Sequence, residues 1–274
     1  MRKWLCLLLI CCFLPLSALA EMPEWMESED AYPRYVQVPG RGEMRYYAQN
    51  EPLWGKMSFR YPHYQTPIYF SSTGCVPTAL ANCIANLVSR EKLTVLREHA
   101  AEKGFLICPC SMNRVECNRT HARYPLTTTA DFDRFLCLAI GSYISGNNPK
   151  GEYACGTLAM LDELMEIYGL RYQKMDSLKQ AAEIVQKERA LAIFLVGGED
   201  CPFTANGHAL VLCHADENEY YFLDSYFRLE YELDKLRLLR IVEPGLAAMK
   251  KETVSRLGAN SIYVIFPEIG RAHV

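Results

Sequence analysis

Three things are scarce in this 274-residue sequence, and each scarcity excludes something. Net charge is small: 29 basic residues stand against 32 acidic ones, a balance of −3. So even a balance gives no basic field to gather phosphates, which argues against a nucleic-acid partner. Long apolar runs are missing after residue 20, so no later segment reads as a membrane span. Repeats and low-complexity tracts are missing too, which excludes solenoids and repetitive arrays. What is present is a chain with 50% hydrophobic residues, enough for one large domain with its own core.

Cysteine is the residue in excess, with 12 in all. Three of them fall in residues 1–20, MRKWLCLLLICCFLPLSALA. Arg2 and Lys3 form a positive start, Trp4 to Leu16 is almost wholly apolar, and Ala18-Leu19-Ala20 has the small-x-small pattern of a cleavage site. We expect a signal peptide cleaved after Ala20, hence export; an uncleaved anchor is the competing reading. Cleavage leaves nine cysteines and changes the charge from −3 to −5. An exported chain meets conditions where disulfides form. Nine is odd, so one thiol is left over.

Residues 21–43 lack periodicity and read as an N-terminal arm or linker, before a single domain expected over 44–270. Met44 to Tyr69 offers short strands and turns. Helical spacing of apolar residues predicts helices from Pro77 to about Arg90, Thr129 to Tyr143, Gly156 to Tyr168 and Leu178 to Glu188. A cysteine-rich insertion, containing CPCSMNRVECNRTH, lies within 104–126. The character then changes. LAIFLV (191–196), HALVLCHA (208–215), YYFLD (220–224) and SIYVIFP (261–267) are rich in β-branched and aromatic residues and read as strands. Helices first and an antiparallel sheet second is the α+β pattern.

The leftover thiol points to Cys75. It stands between Gly74 and the first strong helix, and helix N-terminal amides favour an anion. A thiolate is the reactive form of cysteine. A nucleophile needs a base, and His208 is the candidate: it opens an apolar strand after Asn206-Gly207, where it can project into a cleft. Hairpin geometry supplies the third member. A turn centred near Glu217 sets residues whose numbers sum to about 434 opposite one another. Asp224 then faces Leu210, one diagonal step from His208 and on the same face. A carboxylate there would orient the imidazole and stabilise its charged form.

These segments carry a family resemblance. SSTGCVPTALANCIANL resembles the nucleophile segment of bacterial C39-like cysteine peptidases, which have a papain-like fold. FTANGHALVL resembles their histidine strand, YYFLDSY the following strand with its Asp, and GTLAMLDELMEIYGL their middle helix. AQNEPLWG resembles their Gln-x-x-x-x-Trp segment, which maps the glutamine onto Gln49 and the aromatic onto Trp54. The resemblance implies a helical lobe and a sheet lobe with a cleft between them. It also implies a Cys75-His208-Asp224 triad and Gln49 as an oxyanion donor beside the Cys75 backbone N–H. Val76 replaces the family's usual glycine, and Ser225 follows Asp224 where proline is common. The implied activity is an exported thiol hydrolase acting on peptide bonds of a peptide or protein substrate. It needs no cofactor and acts as a monomer. A catalytically silent binding module and an amide acyltransferase are the alternatives.

Some residues compete. Gln65 rivals Gln49, being ten positions before Cys75. Cys155 also precedes an apolar helix, but no proline follows it and no Gln-Trp segment lies shortly upstream. The eight cysteines besides Cys75 could form four disulfides, with 105 connectivities. Cys83, Cys137 and Cys213 fall on apolar faces and suit buried thiols as well. Cys108, Cys110, Cys117 and His121 have the donors for zinc but match no strong zinc spacing, so a disulfide-stapled insertion is the preferred reading and no metal is expected. Asn118-Arg-Thr is a formal glycosylation sequon.

Overall fold

The computed structural model describes residues 30–56, 58–59, 68–104, 128–147, 155–226, 238–258 and 261–267. The expected leader, Gln65, nearly all of the cysteine-rich stretch and the sequon lie outside the described residues. The fold is α+β. A hairpin of β1 (Tyr35–Val38) and β2 (Gly42–Arg45) comes first. A short helix α1 (Pro52–Gly55), the strand pair β3 (Ser58–Phe59) and β4 (Ile68–Tyr69), and one helical turn α2 (Phe70–Thr73) lead to α3 (Cys75–Leu87). Then follow α4 (Val95–Glu102), α5 (Thr129–Asn147) and α6 (Leu161–Tyr168). The rest builds a sheet: β5 (Arg171–Met175), helix α7 (Leu178–Glu188), β6 (Leu191–Val196), β7 (His208–Ala215), β8 (Glu219–Asp224), β9 (Leu239–Glu243), β10 (Leu246–Lys250) and β11 (Ser261–Phe266).

The sheet has seven strands in the order β5-β11-β6-β7-β8-β10-β9, and every neighbouring pair is antiparallel. Its central strands are covered on both faces, which is why they read as unbroken apolar runs. Leu191, Ile193, Ala209 and Val211 join one core with Leu80, Ile84 and Ile140 of α3 and α5. Ala192, Phe194, Leu210 and Leu212 join the other core with Ala181, Ala182 and Val185 of α7. Each fully buried Leu, Ile or Phe contributes about 1.5–3 kcal/mol. β6 and β7 therefore lie in the most firmly held part of the molecule.

Several expectations need correction. Residues 35–43, read as part of an arm, form a docked hairpin: Val36 and Val38 alternate inward and are buried in the first core. Pro52–Gly55, read as turns, is a helical turn begun by proline. The third helix starts at Leu161 rather than Gly156, because Thr157 Oγ1 accepts from the Ala159 N–H at 3.1 Å, a local turn that competes with helix. It ends as expected at Gly169, whose φ of +67° is the left-handed cap. The six described cysteines, Cys75, Cys83, Cys137, Cys155, Cys201 and Cys213, are all free. Four disulfides over the eight others are thus ruled out, and apolar packing is what holds five of these thiols in the core. Among the described residues there is no cluster able to hold a metal ion, and no helix is long and apolar enough to cross a membrane.

Candidate active site

His208 opens β7 and Asp224 closes β8. The register pairs Leu210 with Asp224, the sum of 434 expected from the turn. Nearer the turn the pairs are His214 with Tyr221 and Ala215 with Tyr220, and a bulge at Cys213 restores the register beyond it. Asp216 builds that turn: its Oδ1 accepts from the N–H groups of Asn218 and Glu219. The result is that His208 Nε2 and Asp224 Oδ1 lie 2.8 Å apart, both residues buried.

Asp224 is fixed from three directions, through its carboxylate and through its backbone. Its Oδ1 also accepts from the Tyr226 N–H at 2.9 Å. The Asp224 N–H donates to Gly245 O at 2.9 Å, and the Tyr46 hydroxyl donates to Asp224 O at 2.7 Å. Burial disfavours a charged His208, but hydrogen bonding to Asp224 and to Cys75 outweighs it and lifts the imidazole from 6.5 to about 9. Because Nε2 is engaged by Asp224, Nδ1 is the ring nitrogen left for the thiol.

Cys75 is the first residue of α3, and among the described cysteines it alone is not fully buried. The break between α2 and α3 at Gly74 exposes this helix start. A side chain at Gly74 would lie 2.6 Å from Phe70 O and 2.7 Å from the Phe70 ring, so only glycine fits. In one continuous helix Ser71 O would take the Cys75 N–H. Here Ser71 O accepts from Gln49 Nε2 at 2.7 Å. Cys155, the rival nucleophile, is fully buried under Thr73: its Sγ donates to Thr73 O at 3.6 Å, and burial pushes its thiol far up. Burial does the same for Cys83, Cys137 and Cys213. These are poor nucleophiles on physical grounds.

Two cavities flank His208. One, of about 640 Å³, is lined by Cys75 and His208 together with Ile68, Val76, Leu158, Leu195, Val196 and Tyr263. The other, of about 240 Å³, is lined by His208, Gln49, Ser71, Ser72, Phe203, Thr204, Asn206, Gly207 and Tyr226. Among the described residues, neither has an Asp, Glu, Lys or Arg in its lining. Gln49 is thus beside His208, but on the side away from the cavity that Cys75 lines. Its amide serves Ser71, and its Oε1 is buried with no hydrogen-bond partner. Trp54 holds this loop in place by donating from Nε1 to Ala48 O at 2.8 Å.

Ser225 went unnoticed in the sequence as anything but a departure from a pattern. Its hydroxyl donates to Ala209 O at 2.7 Å, and its carbonyl accepts from the Gln49 N–H at 2.6 Å. It ties the Gln49 loop to the histidine strand. Proline at this position would supply no hydroxyl for the first bond. Tyr46 was equally invisible, since a buried tyrosine gives no sequence signal of the carbonyl it will meet. Comparison of the chain with protein-family models, with curated proteins and with solved structures finds no match.

Proposed function

We propose that this chain is an exported thiol hydrolase that cleaves peptide or other amide bonds, with the two-lobed papain-like arrangement that its motifs resemble. One observation carries the reading: a buried, hydrogen-bonded His208–Asp224 pair adjoins the one partly exposed thiol among the described cysteines, at a helix start facing a large cavity. Cys75 Sγ attacks the carbonyl carbon as a thiolate, its proton carried by His208. Asp224 keeps the imidazolium oriented and charged. The developing oxyanion meets the Cys75 N–H at the head of α3. Gln49 supports that donor by occupying Ser71 O, so its part in oxyanion binding is chiefly indirect. His208 then returns the proton to the leaving amine, and water releases the acyl group from sulfur. The leader-like segment at 1–20 supports export.

Iodoacetamide labelling tests the pair. Cys75 should react quickly, with a pH dependence that vanishes in His208→Ala, and Cys75→Ala should lose hydrolysis of peptide substrates. Equal labelling rates in wild type and His208→Ala would sink the proposal.

A further inference from the structure

We infer that Asn206 is a self-modification site: the Gly207 backbone nitrogen displaces its side-chain amide, leaving an aspartate or an isoaspartyl link directly ahead of His208. The modification stands apart from the hydrolase reading, and only its effect on turnover rests on that reading.

Residues 205–207 are the exposed segment that leads into β7. Asn206-Gly207 is the single Asn-Gly step in the chain. Asparagine is chemically labile where its Cγ meets the nitrogen of the next residue. Three conditions favour that attack. The side-chain amide must be free to turn, the next N–H must be uncommitted, and the next residue must not crowd the five-membered ring. All three are met here. Among the described residues the Asn206 side chain makes no hydrogen bond; its backbone N–H donates to Thr204 Oγ1 at 3.1 Å. The Gly207 N–H donates to no described group. Gly207 has no side chain to crowd the ring, and the place where one would stand is open, with nothing within 4 Å. The other described asparagines are held. Asn218 precedes Glu219, whose N–H is taken by Asp216 Oδ1 at 2.8 Å. Asn82 and Asn86 lie within α3, with side chains bonded to the backbone of Tyr47 and Arg45. Asn50 donates to the Tyr32 hydroxyl, and Asn147 to Tyr143 O.

The steps balance with water as the only co-reactant. The Gly207 nitrogen gives its proton to solvent and bonds to Asn206 Cγ. The Cγ–Nδ2 bond breaks, and Nδ2 takes up a proton and leaves as ammonia. Water then opens the cyclic imide at one of its two carbonyls. One opening yields aspartate in an unaltered chain. The other yields isoaspartate, in which the main chain runs through the side-chain carbon and is longer by one atom. That insertion falls two residues before His208, which pairs with Val196 of β6 and lies 2.8 Å from Asp224. A shift of about 1 Å in such a pair costs about a hundredfold in rate. The aspartate product instead sets a carboxylate in the wall of the 240 Å³ cavity that His208 also lines. The segment is thus a timer that ends thiol chemistry as the protein ages.

The test holds the full chain in warm, mildly alkaline buffer and samples it over days. Mass-spectrometric peptide mapping follows Asn206 against Asn218, which share one tryptic peptide, since no Lys or Arg lies between Arg189 and Arg228. Asn206 should convert at least about tenfold faster, because freeing the Glu219 N–H from a carboxylate costs a charge-assisted hydrogen bond. Gly207→Ala should slow Asn206 by roughly two- to fivefold, the worth of glycine's backbone freedom, and leave Asn218 unchanged. Hydrolysis of a peptide substrate and iodoacetamide labelling of Cys75 should fall in step with isoaspartate at 206. Repair by protein isoaspartyl methyltransferase with S-adenosylmethionine, which returns the link to aspartate, should restore both. Asn206 converting no faster than Asn218, whether both move or neither does, overturns the site. Isoaspartate at 206 with undiminished turnover overturns the timer and leaves the hydrolase reading standing. Fresh protein with neither turnover nor Cys75 labelling overturns the hydrolase reading and the timer with it, while the mapping still decides the modification.

Discussion

Replacing Asp224 by asparagine isolates the charge that keeps His208 protonated. The substitution preserves the size of the side chain, and its amide oxygen can still accept from the ring. In the native protein His208 is lifted from 6.5 to about 9, against burial, by its hydrogen bonds to Asp224 and Cys75. That rise corresponds to roughly 3 kcal/mol at 1.36 kcal/mol per pH unit. The sign is set by linkage. A base whose folded pKa exceeds its unfolded value stabilises the fold fully below the unfolded value. That contribution is lost as pH climbs through the folded value. The window here is pH 6.5 to about 9. Asparagine removes the largest opposing influence and leaves that of Cys75, so the window narrows. Urea unfolding of both proteins at pH 6 and at pH 9.5 measures the effect. The native protein should lose more than Asp224→Asn across that interval, by at most roughly 3 kcal/mol, since Cys75 supplies part of the shift. Equal losses in the two proteins would refute the claim that Asp224 holds the proton on His208.

Further expectations concern the frame of the site. Cys155→Ala should leave iodoacetamide labelling of Cys75 unchanged, because the Cys155 thiol is buried and turned toward Thr73; peptide mapping of the labelled protein checks this. Gly74→Ala should destabilise the fold by about 1–3 kcal/mol, since the added carbon meets Phe70 O at 2.6 Å, and it should slow labelling as Cys75 moves. An unchanged urea midpoint would count against that reading. Ser225→Ala should cost about 1 kcal/mol for its lost bond to Ala209 O and should lower kcat more than it raises KM, as the Gln49 loop loosens; steady-state kinetics on one peptide substrate decides it. Leu195→Asp should weaken reaction with acyl donors that carry an apolar chain, because it sets a carboxylate in the 640 Å³ cavity.

The parts of the fold that could be read in advance are those where burial writes an uninterrupted signal. LAIFLV and HALVLCHA are covered on both faces by helices, and their bounds as strands were predicted to the residue. Their hairpin fixed the approach of Asp224 to His208, although the sum of 434 holds because the bulge at Cys213 offsets a turn centred half a residue later. β5 and β9 escaped notice because Arg171, Gln173, Lys174 and Arg240 give an outer strand a polar composition. The β1–β2 hairpin escaped for a different reason. Its four-residue strands carry only two inward valines, too few to establish a period. At the site, residue types and order pointed to Cys75, His208 and Asp224. The job of Gln49 was not legible, because it depends on which carbonyl the folded chain sets before its amide. Ser225 and Tyr46 hold backbone carbonyls, and a carbonyl has no letter of its own in a sequence.

Among the described residues, the linings on both sides of His208 hold no Asp, Glu, Lys or Arg, which has a consequence for working conditions. A lining without fixed charge exerts no long-range pull on what diffuses toward it. Encounter then proceeds at about 10⁵–10⁶ M⁻¹s⁻¹, the range for unsteered association. Raising salt from 0.1 M to 1 M shortens the screening length from about 10 Å to about 3 Å, yet there is no attraction here for it to weaken. The one ion pair at the centre, His208 with Asp224, is buried beyond the reach of dissolved ions. The described linings of the two cavities therefore add no salt dependence of their own to turnover, which kcat/KM at 0.1 M and 1 M salt measures.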